Sequence, residues 1–253
     1  MSPKPGLSNR LRKERERQER EMRYLDVARK LLLERGYLGL TMDAVAEATE
    51  FSKGTLYQHF GSKEELLLAL VAGLTERKLE LFERAALWPG PSRERMLAIG
   101  RAYRAFAGRY PEDLRVTQIA LSEPLRAKAG PASVERLAGV ETRCQGVLLG
   151  VIRDGIARGE LPWDNSRHPG ELAFTLWATS FGHYTLAALD LDFGALGVSD
   201  PLATLDHTCQ ALLDGWGWRP LSHELDWNAL GERIDRELFS PAAEQRKGAA
   251  RHP

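Results

Sequence analysis

"TMDAVAEATEFSKGTLYQHFGSKEEL", residues Thr41 to Leu66, sets two short helical patterns side by side with a break of only a few residues between them. Thr41 heads the first pattern, where its hydroxyl can cap a helix that carries Ala44, Val45 and Ala48 inward. Ser52 heads the second, in which Leu56 and Phe60, four apart, point into a small core. Lys53, Thr55, Tyr57, Gln58 and His59 are left on the open side. The "SKEE" that follows is a capping box: Ser62 can take the amide of Glu65 while Glu65 reaches back, so a further helix begins there. Two short helices joined by a tight turn and braced on both sides form a helix-turn-helix.

Outward from this core the chain keeps the helical period. Upstream, residues 18 to 35 predict a helix with Met22, Leu25, Ala28 and Leu32 on one stripe and Gly36 as its stop. Downstream, the helix from Ser62 runs to about Leu87, where "WPGP" breaks it. Further helices are expected over residues 92 to 109, 112 to 122, 132 to 158, 170 to 190 and 202 to 217. A last amphipathic segment, residues 222 to 239, sets Leu230, Ile234 and Leu238 on one face. Strand alternation and hairpin dipeptides are nearly absent. The expected fold is all-α: a basic N-terminal arm or helix extension (1–19), a helix-turn-helix domain (20–70), a larger C-terminal helical domain (71–240) and a frayed tail (241–253).

Composition narrows the function. With 35 basic and 35 acidic side chains among 253 residues, the molecule is no polycation that coats nucleic acid indiscriminately. Its first 25 residues nevertheless hold eight basic and four acidic groups. Residues 14 to 23 read as a solvated helix, since Arg12 with Glu16 and Arg15 with Glu19 fall four apart, whereas Lys4 to Lys13 read as a disordered arm. Cys144 and Cys209 stand far apart, with neither zinc-ligand spacing nor a disulfide framework, so a reducing, cytoplasmic setting is expected. No apolar signal segment opens the chain, and the most apolar window, Leu172 to Leu189, carries His183, so no membrane span is expected. No nucleophile elbow, phosphate loop, zinc-protease or dinucleotide motif is legible, and neither enzyme, cofactor nor metal is expected.

The size of the second short helix points to DNA. About eight residues make roughly 12 Å, close to the width of the B-DNA major groove. Gly54 costs about 0.5–1 kcal/mol relative to alanine in a helix, so its place here suggests that a side chain would obstruct close approach to a ligand. Thr41 and Lys63 begin the flanking helices, where phosphates are attracted. The stretch "ARKLLLERGYLGLTMDAVAEATEFSKGTLYQHFGSKEELLLAL" resembles the DNA-binding domain of the TetR family of bacterial transcriptional regulators. The resemblance rests on Ala28, Gly36, Tyr37, Thr41, Val45, Ala46, Ala48, Ser52, Gly54, Thr55, Leu56, Tyr57, Phe60, Lys63 and Leu66, in order and without a gap.

The resemblance implies that Thr41, Ser52, Tyr57 and Lys63 contact phosphates, while Lys53, Gly54, Thr55 and His59 approach bases or backbone. It implies a homodimer on a near-palindromic, double-stranded operator. The family usually has glycine where this chain has Glu50, which puts the turn geometry in question. A family ligand cavity among the helices after the fourth implies a small, largely apolar effector, for which Phe106, Tyr110, Gln118, Phe174 and Trp177 are the candidate lining. The helices at 170 to 190 and 202 to 217 are candidates for the dimer interface, through Phe181, Tyr184, Leu186, Leu205 and Leu212. The expected function is a ligand-responsive repressor. The alternatives are a helical interaction protein with a vestigial helix-turn-helix, or an enzyme.

Overall fold

The computed structural model describes residues 5–122, 124–164, 166–189 and 191–240, and every regular element among them is helical. In chain order these are α1 (Pro5–Gly39), α2 (Met42–Thr49), α3 (Lys53–Tyr57), α4 (Lys63–Ala86), α5 (Ser92–Arg109), α6 (Pro111–Ser122), α7 (Leu125–Lys128), α8 (Pro131–Ala157), α9 (Gly170–Ala187), α10 (Pro201–Gly215) and α11 (Trp227–Ile234). A 3₁₀ turn at Gly194–Leu196 precedes α10, and a π turn at Asp235–Phe239 continues α11. The chain forms two compact units: residues up to Thr75 with Glu112–Val140, and Glu76–Pro111 with Glu141 onward. No helix among the described residues is long and apolar enough to cross a membrane.

In the first unit one apolar cluster gathers Tyr24, Ala28, Leu32, Val45, Leu56, Phe60 and Leu66, and it also takes in Val116, Ala120, Leu125 and Leu137. Residues 112–140, placed by the sequence with the larger domain, therefore pack with the helix-turn-helix. An ion pair reinforces this: Arg29 Nε lies 2.5 Å from Oδ1 of the fully buried Asp113 and Nη2 lies 2.9 Å from Glu112. On α1 the buried stripe is Tyr24, Ala28, Leu31 and Leu32, whereas Met22 is 62% exposed. The expected stripe holds at Ala28 and Leu32 and is half-buried at Leu25, while Tyr24 takes the inward place expected of Met22. On α2, Met42, Val45, Ala46 and Thr49 turn inward and Ala48 faces out. Thr49 is tolerated there because its hydroxyl donates to the carbonyls of Val45 and Ala46, at 2.8 and 3.1 Å.

The start of α1 differs from the disordered arm expected for Lys4 to Lys13. From Pro5 the chain is already helical, and the i,i+4 pairs Arg12–Glu16 (3.5 Å) and Arg15–Glu19 (3.6 Å) line its surface. Lys4 and the tail 241–253 lie outside the described residues. Gly36, expected as the stop, breaks the helix at φ 67°, after which a last turn closes with Leu40 N donating to its carbonyl.

The second unit has its own apolar cluster, including Phe82, Trp88, Met96, Phe106, Ile152, Leu172 and Trp218. Arg93 is wholly buried within this unit and is held by Asp214 (2.7 Å), the side chain of Gln210 (2.7 Å) and the carbonyl of Trp218. A buried charge needs such partners to offset its lost hydration, and here both terminal nitrogens of the guanidinium have them. The segment 222–239 packs on this core: Ile234 and Phe239 are buried in it, and Arg101 pairs with Asp235.

Candidate nucleic-acid interface

Each short helix starts on the cap its sequence offers. Thr41 Oγ1 accepts the amide of Ala44 (3.1 Å), and Ser52 Oγ accepts that of Thr55 (3.2 Å). The capping box at α4 is only half formed. Ser62 Oγ accepts from Glu65 N (3.2 Å), but Glu65 does not return to Ser62; its carboxylate takes the amides of Gly61 (2.9 Å) and Gly130 (3.1 Å). Glu65 therefore ties the α3–α4 turn to the loop before α8, a contact too distant in sequence to be read from a local motif.

Between α2 and α3, Glu50 occupies the left-handed region at φ 60°, ψ 15°. The turn thus keeps the conformation that glycine favours, and Glu50 bears a cost of about 1–2 kcal/mol for it. Helix α3 is assigned over five residues, fewer than the eight expected. Its turns nevertheless continue through Gln58 N to Gly54 O (3.1 Å) and Phe60 N to Leu56 O (3.0 Å), so the helical surface reaches Phe60.

This surface has two faces. Leu56 and Phe60 are buried, as expected, whereas Ser52, Lys53, Gly54 and Tyr57 are exposed and Thr55 is half-buried. Lys53 forms an exposed ion pair with Asp43 of α2 (2.8 Å), and the hydrogen bond to Asp43 holds its pKa above the ordinary lysine value. His59 is half-buried with its ring 5.4 Å from that of Tyr24. Burial, and then the nearby Arg17, push its pKa below the ordinary histidine value, so it stays neutral at neutral pH and offers no cation to a phosphate. Lys63 is steered from α1: its ammonium donates to the Tyr37 carbonyl (3.1 Å) and lies 3.9 Å from the Tyr37 ring centroid. The Tyr37 hydroxyl in turn donates to Glu64 (2.7 Å). Thr41, exposed at the start of α2, completes the group of eight candidate contacts, all in the first unit.

The position of Gly54 is informative. A Cβ built there meets only Ser52 Oγ, at 3.8 Å, an ordinary contact. Packing among the described residues therefore leaves room for a side chain at this position.

Residues 25–70 match the family model of bacterial regulatory proteins of the tetR family, and residues 96–212 match the tetracyclin repressor-like C-terminal domain. The chain belongs to the TetR family. It is a helix-turn-helix, DNA-binding transcriptional regulator, which disfavours the vestigial and enzymatic readings. Among curated relatives, the HTH-type transcriptional regulator TcmR of Streptomyces glaucescens is 38% identical over 107 residues, spanning 42% of each chain. The regulator Rv1816 of Mycobacterium tuberculosis is 24% identical over 225 residues, 78% of this chain and 92% of its own. Among solved structures, the fold is shared with the regulator FadR of Bacillus subtilis, crystallised with stearoyl-CoA, at a TM-score of 0.61 and 18% identity over 77% of this chain and 98% of that one.

The second unit of this TetR-family protein holds a cavity of about 110 Å³ among α4, α5, α8, α9 and α10. Its wall is mostly apolar, from Phe82, Met96, Ile99, Leu148, Leu176, Leu205 and Leu213, with Lys78, Tyr103, Arg104, Tyr184 and Asp206 as polar members. Of the five residues expected there, Trp177 lines it. Phe106 is buried in the core, Tyr110 lies under the Arg77 guanidinium at 5.7 Å, Phe174 is 63% exposed, and Gln118 belongs to the first unit. Aromatic content alone did not tell wall from core. The polar groups on the same helices are satisfied locally: Thr175 donates to Glu171 O (2.8 Å) and His183 Nδ1 lies 2.8 Å from Thr179 O.

The candidates for the dimer interface divide similarly. Tyr184 and Leu205 line the cavity, Leu186 is 47% exposed, and Phe181 and Leu212 are half-buried. The sequence missed an aromatic ladder along α9, Phe174–Trp177–Phe181, with successive ring centroids 5.9 Å apart and two of its three members at least half exposed. The spacing of three and four in that run was the signal for it. Lys78 was missed too, although it falls on the stripe Leu74, Thr75, Lys78, Phe82 that α4 turns inward.

Proposed function

We propose that the protein is a ligand-responsive repressor that binds a near-palindromic operator as a homodimer and releases it when a small, largely apolar molecule enters the second unit. The observation that carries the DNA half is the two-faced helix α3, with Leu56 and Phe60 buried and Ser52, Lys53, Gly54 and Tyr57 presented outward. A major groove takes a helix of this width, with phosphate contacts setting its register. Thr41, Ser52, Tyr57 and Lys63 are assigned to phosphates, and Lys53, Gly54 and Thr55 to close approach at the bases. His59, neutral and partly covered by Tyr24, serves at most as a neutral donor or acceptor at the groove edge.

The ladder on α9 supports the dimer. A row with Phe174 and Trp177 exposed and Phe181 half-buried is what a second copy would cover across a two-fold axis. On α10, Ala203, His207 and Ala211 face solvent four residues apart and let a neighbouring helix approach closely. A symmetric dimer of this kind sets its recognition helices about 34–36 Å apart, and a coupling of about 1–3 kcal/mol between ligand and operator suffices for a switch. The operator places the protein in the cytoplasm. FadR binds an acyl-CoA, but at 18% identity the likeness carries the fold and not the ligand. The test is operator binding by Tyr57→Ala and Lys63→Ala: both should lose affinity while remaining dimeric, and wild-type binding by both refutes the assignment.

A further inference from the structure

The charges around the cavity in the second unit are balanced except at one place. Asp206 is shared between Arg104 (2.9 Å) and Arg101 (3.4 Å), and Arg101 also pairs with Asp235. The two guanidiniums and their carboxylates thus satisfy one another. Lys78 enters the same wall from α4, and among the described residues its ammonium has no ion pair and no hydrogen bond. Its one close partner is the face of the Tyr103 ring, 5.8 Å from Nζ to the centroid. A ring quadrupole at that distance is a weak substitute for an anion. On α8, Glu141 and Cys144 lie near enough to favour its charge electrostatically, but burial outweighs them and pushes its pKa down.

The remaining wall offers no counter-ion. Tyr103 and Tyr184 stack edge to face with centroids 4.7 Å apart, and burial keeps both hydroxyls protonated, that of Tyr184 with its pKa pushed up to about 12. A desolvated cation beside an apolar cavity, with its neighbouring arginines already neutralised, is a half-made ion pair.

We infer that the ligand is an amphiphilic organic anion whose apolar body fills the cavity and whose carboxylate, or an acid group of similar size, pairs with Lys78. This rests on the reading of the cavity as the effector site and adds the chemical class of the effector. The volume, about 110 Å³, is of the order of the ~150 Å³ engineered apolar cavity that takes up benzene. A ring or short alkyl chain is therefore the right scale for the body. A neutral ligand would leave the ammonium buried beside it, and a cation would meet Lys78 with Asp206 already engaged.

The test is direct binding to the full-length protein without DNA, read by calorimetry and by the fluorescence of Trp177 in the cavity wall. The probes are two matched pairs: 4-ethylbenzoate with 4-ethylbenzyl alcohol, and octanoate with octan-1-ol. In the wild type at least one acid should bind about 10- to 100-fold more tightly than its alcohol, the scale of a charge-assisted hydrogen bond in a desolvated site. Lys78→Met, which keeps the length of the side chain, should abolish that preference while leaving the alcohol within about threefold. Alcohols that bind the wild type as tightly as the acids overturn the inference and leave the cavity reading intact, a comparison that needs no variant. Acid binding unchanged in Lys78→Met overturns it too, and binding by none of the four overturns the cavity reading itself. Operator binding is not involved in any arm, so failure of the DNA-binding account would be seen separately.

Discussion

Replacing Gly54 by alanine should move stability and DNA binding in opposite directions, because the structure has room for the methyl group and a groove docked closely on α3, as proposed, would not. Gly54 is exposed in the first turn of α3, is not among the residues with positive φ, and a Cβ there would come no nearer than 3.8 Å to Ser52 Oγ. Alanine should therefore stabilise the helix by about 0.5–1 kcal/mol. For a chain of this length that is a rise of roughly 1–4 °C in the melting temperature. At the DNA surface the methyl stands about 1.5 Å proud of the backbone, the length of one carbon–carbon bond. Pushing α3 outward by even half of that lengthens the contacts of Ser52, Lys53, Thr55 and Tyr57 together. Loss of one good base contact costs about 1–3 kcal/mol at each of the two half-sites, so operator affinity of the dimer should fall at least about 30-fold. The assay pairs calorimetry with fluorescence anisotropy on an operator selected from random duplexes. Unchanged or tighter DNA binding by a stabilised variant would refute the close approach of Gly54, and a destabilised variant would refute the open space seen around it.

Three other perturbations probe different parts of the structure. Glu50→Gly should relieve the left-handed strain, about 1–2 kcal/mol, less the ~0.5–1 kcal/mol that glycine's freedom in the unfolded chain takes back, for a net gain of roughly 0.5–1 kcal/mol in urea unfolding; no gain would mean Glu50 is not strained. Arg29→Met removes the guanidinium from the buried Asp113 and should cost about 2 kcal/mol, below the ~3–5 kcal/mol of a fully buried pair because the Arg29 side chain is 25% exposed. Unchanged unfolding of that variant would count against the packing of α6 with the helix-turn-helix. Phe174→Glu, at a position 63% exposed and outside the cavity wall, should leave the fold intact by circular dichroism yet shift the protein to monomer in light scattering; a stable dimer would remove α9 from the interface.

The helix-turn-helix was legible in the sequence because its determinants are local. Thr41 and Ser52 cap their own helices, Leu56 and Phe60 are four apart, and Gly54 breaks a propensity rule with no neighbour to explain it. The long helices of the second unit could be read from their period and their proline and glycine stops, with α5 assigned over Ser92–Arg109 as expected. What stayed hidden depends on long-range partners. The role of Glu65 requires Gly130, sixty-five residues away, and the allegiance of residues 112–140 requires Arg29 to meet Asp113. The cavity is subtler still, since Phe106, Tyr110 and Trp177 are equally plausible as wall or core until the backbone sets which way each helix turns. Lys78 left a trace, a cation on a buried stripe, which is visible once the register of α4 is known. Glu50 shows the reverse case: the sequence raised a doubt about the turn, and the backbone keeps the left-handed conformation regardless.

Salt dependence of operator binding tests the central claim most directly. With a selected near-palindromic operator, log K for the wild-type dimer should fall linearly with log salt concentration, and a scrambled duplex should bind far more weakly. Lys63→Ala removes one cation from each protomer and should reduce the magnitude of the slope by about 1.8 per dimer. Duplex binding with no preference for the selected site, or a slope unchanged in Lys63→Ala, would contradict the placement of the N-terminal ends of α3 and α4 on the operator.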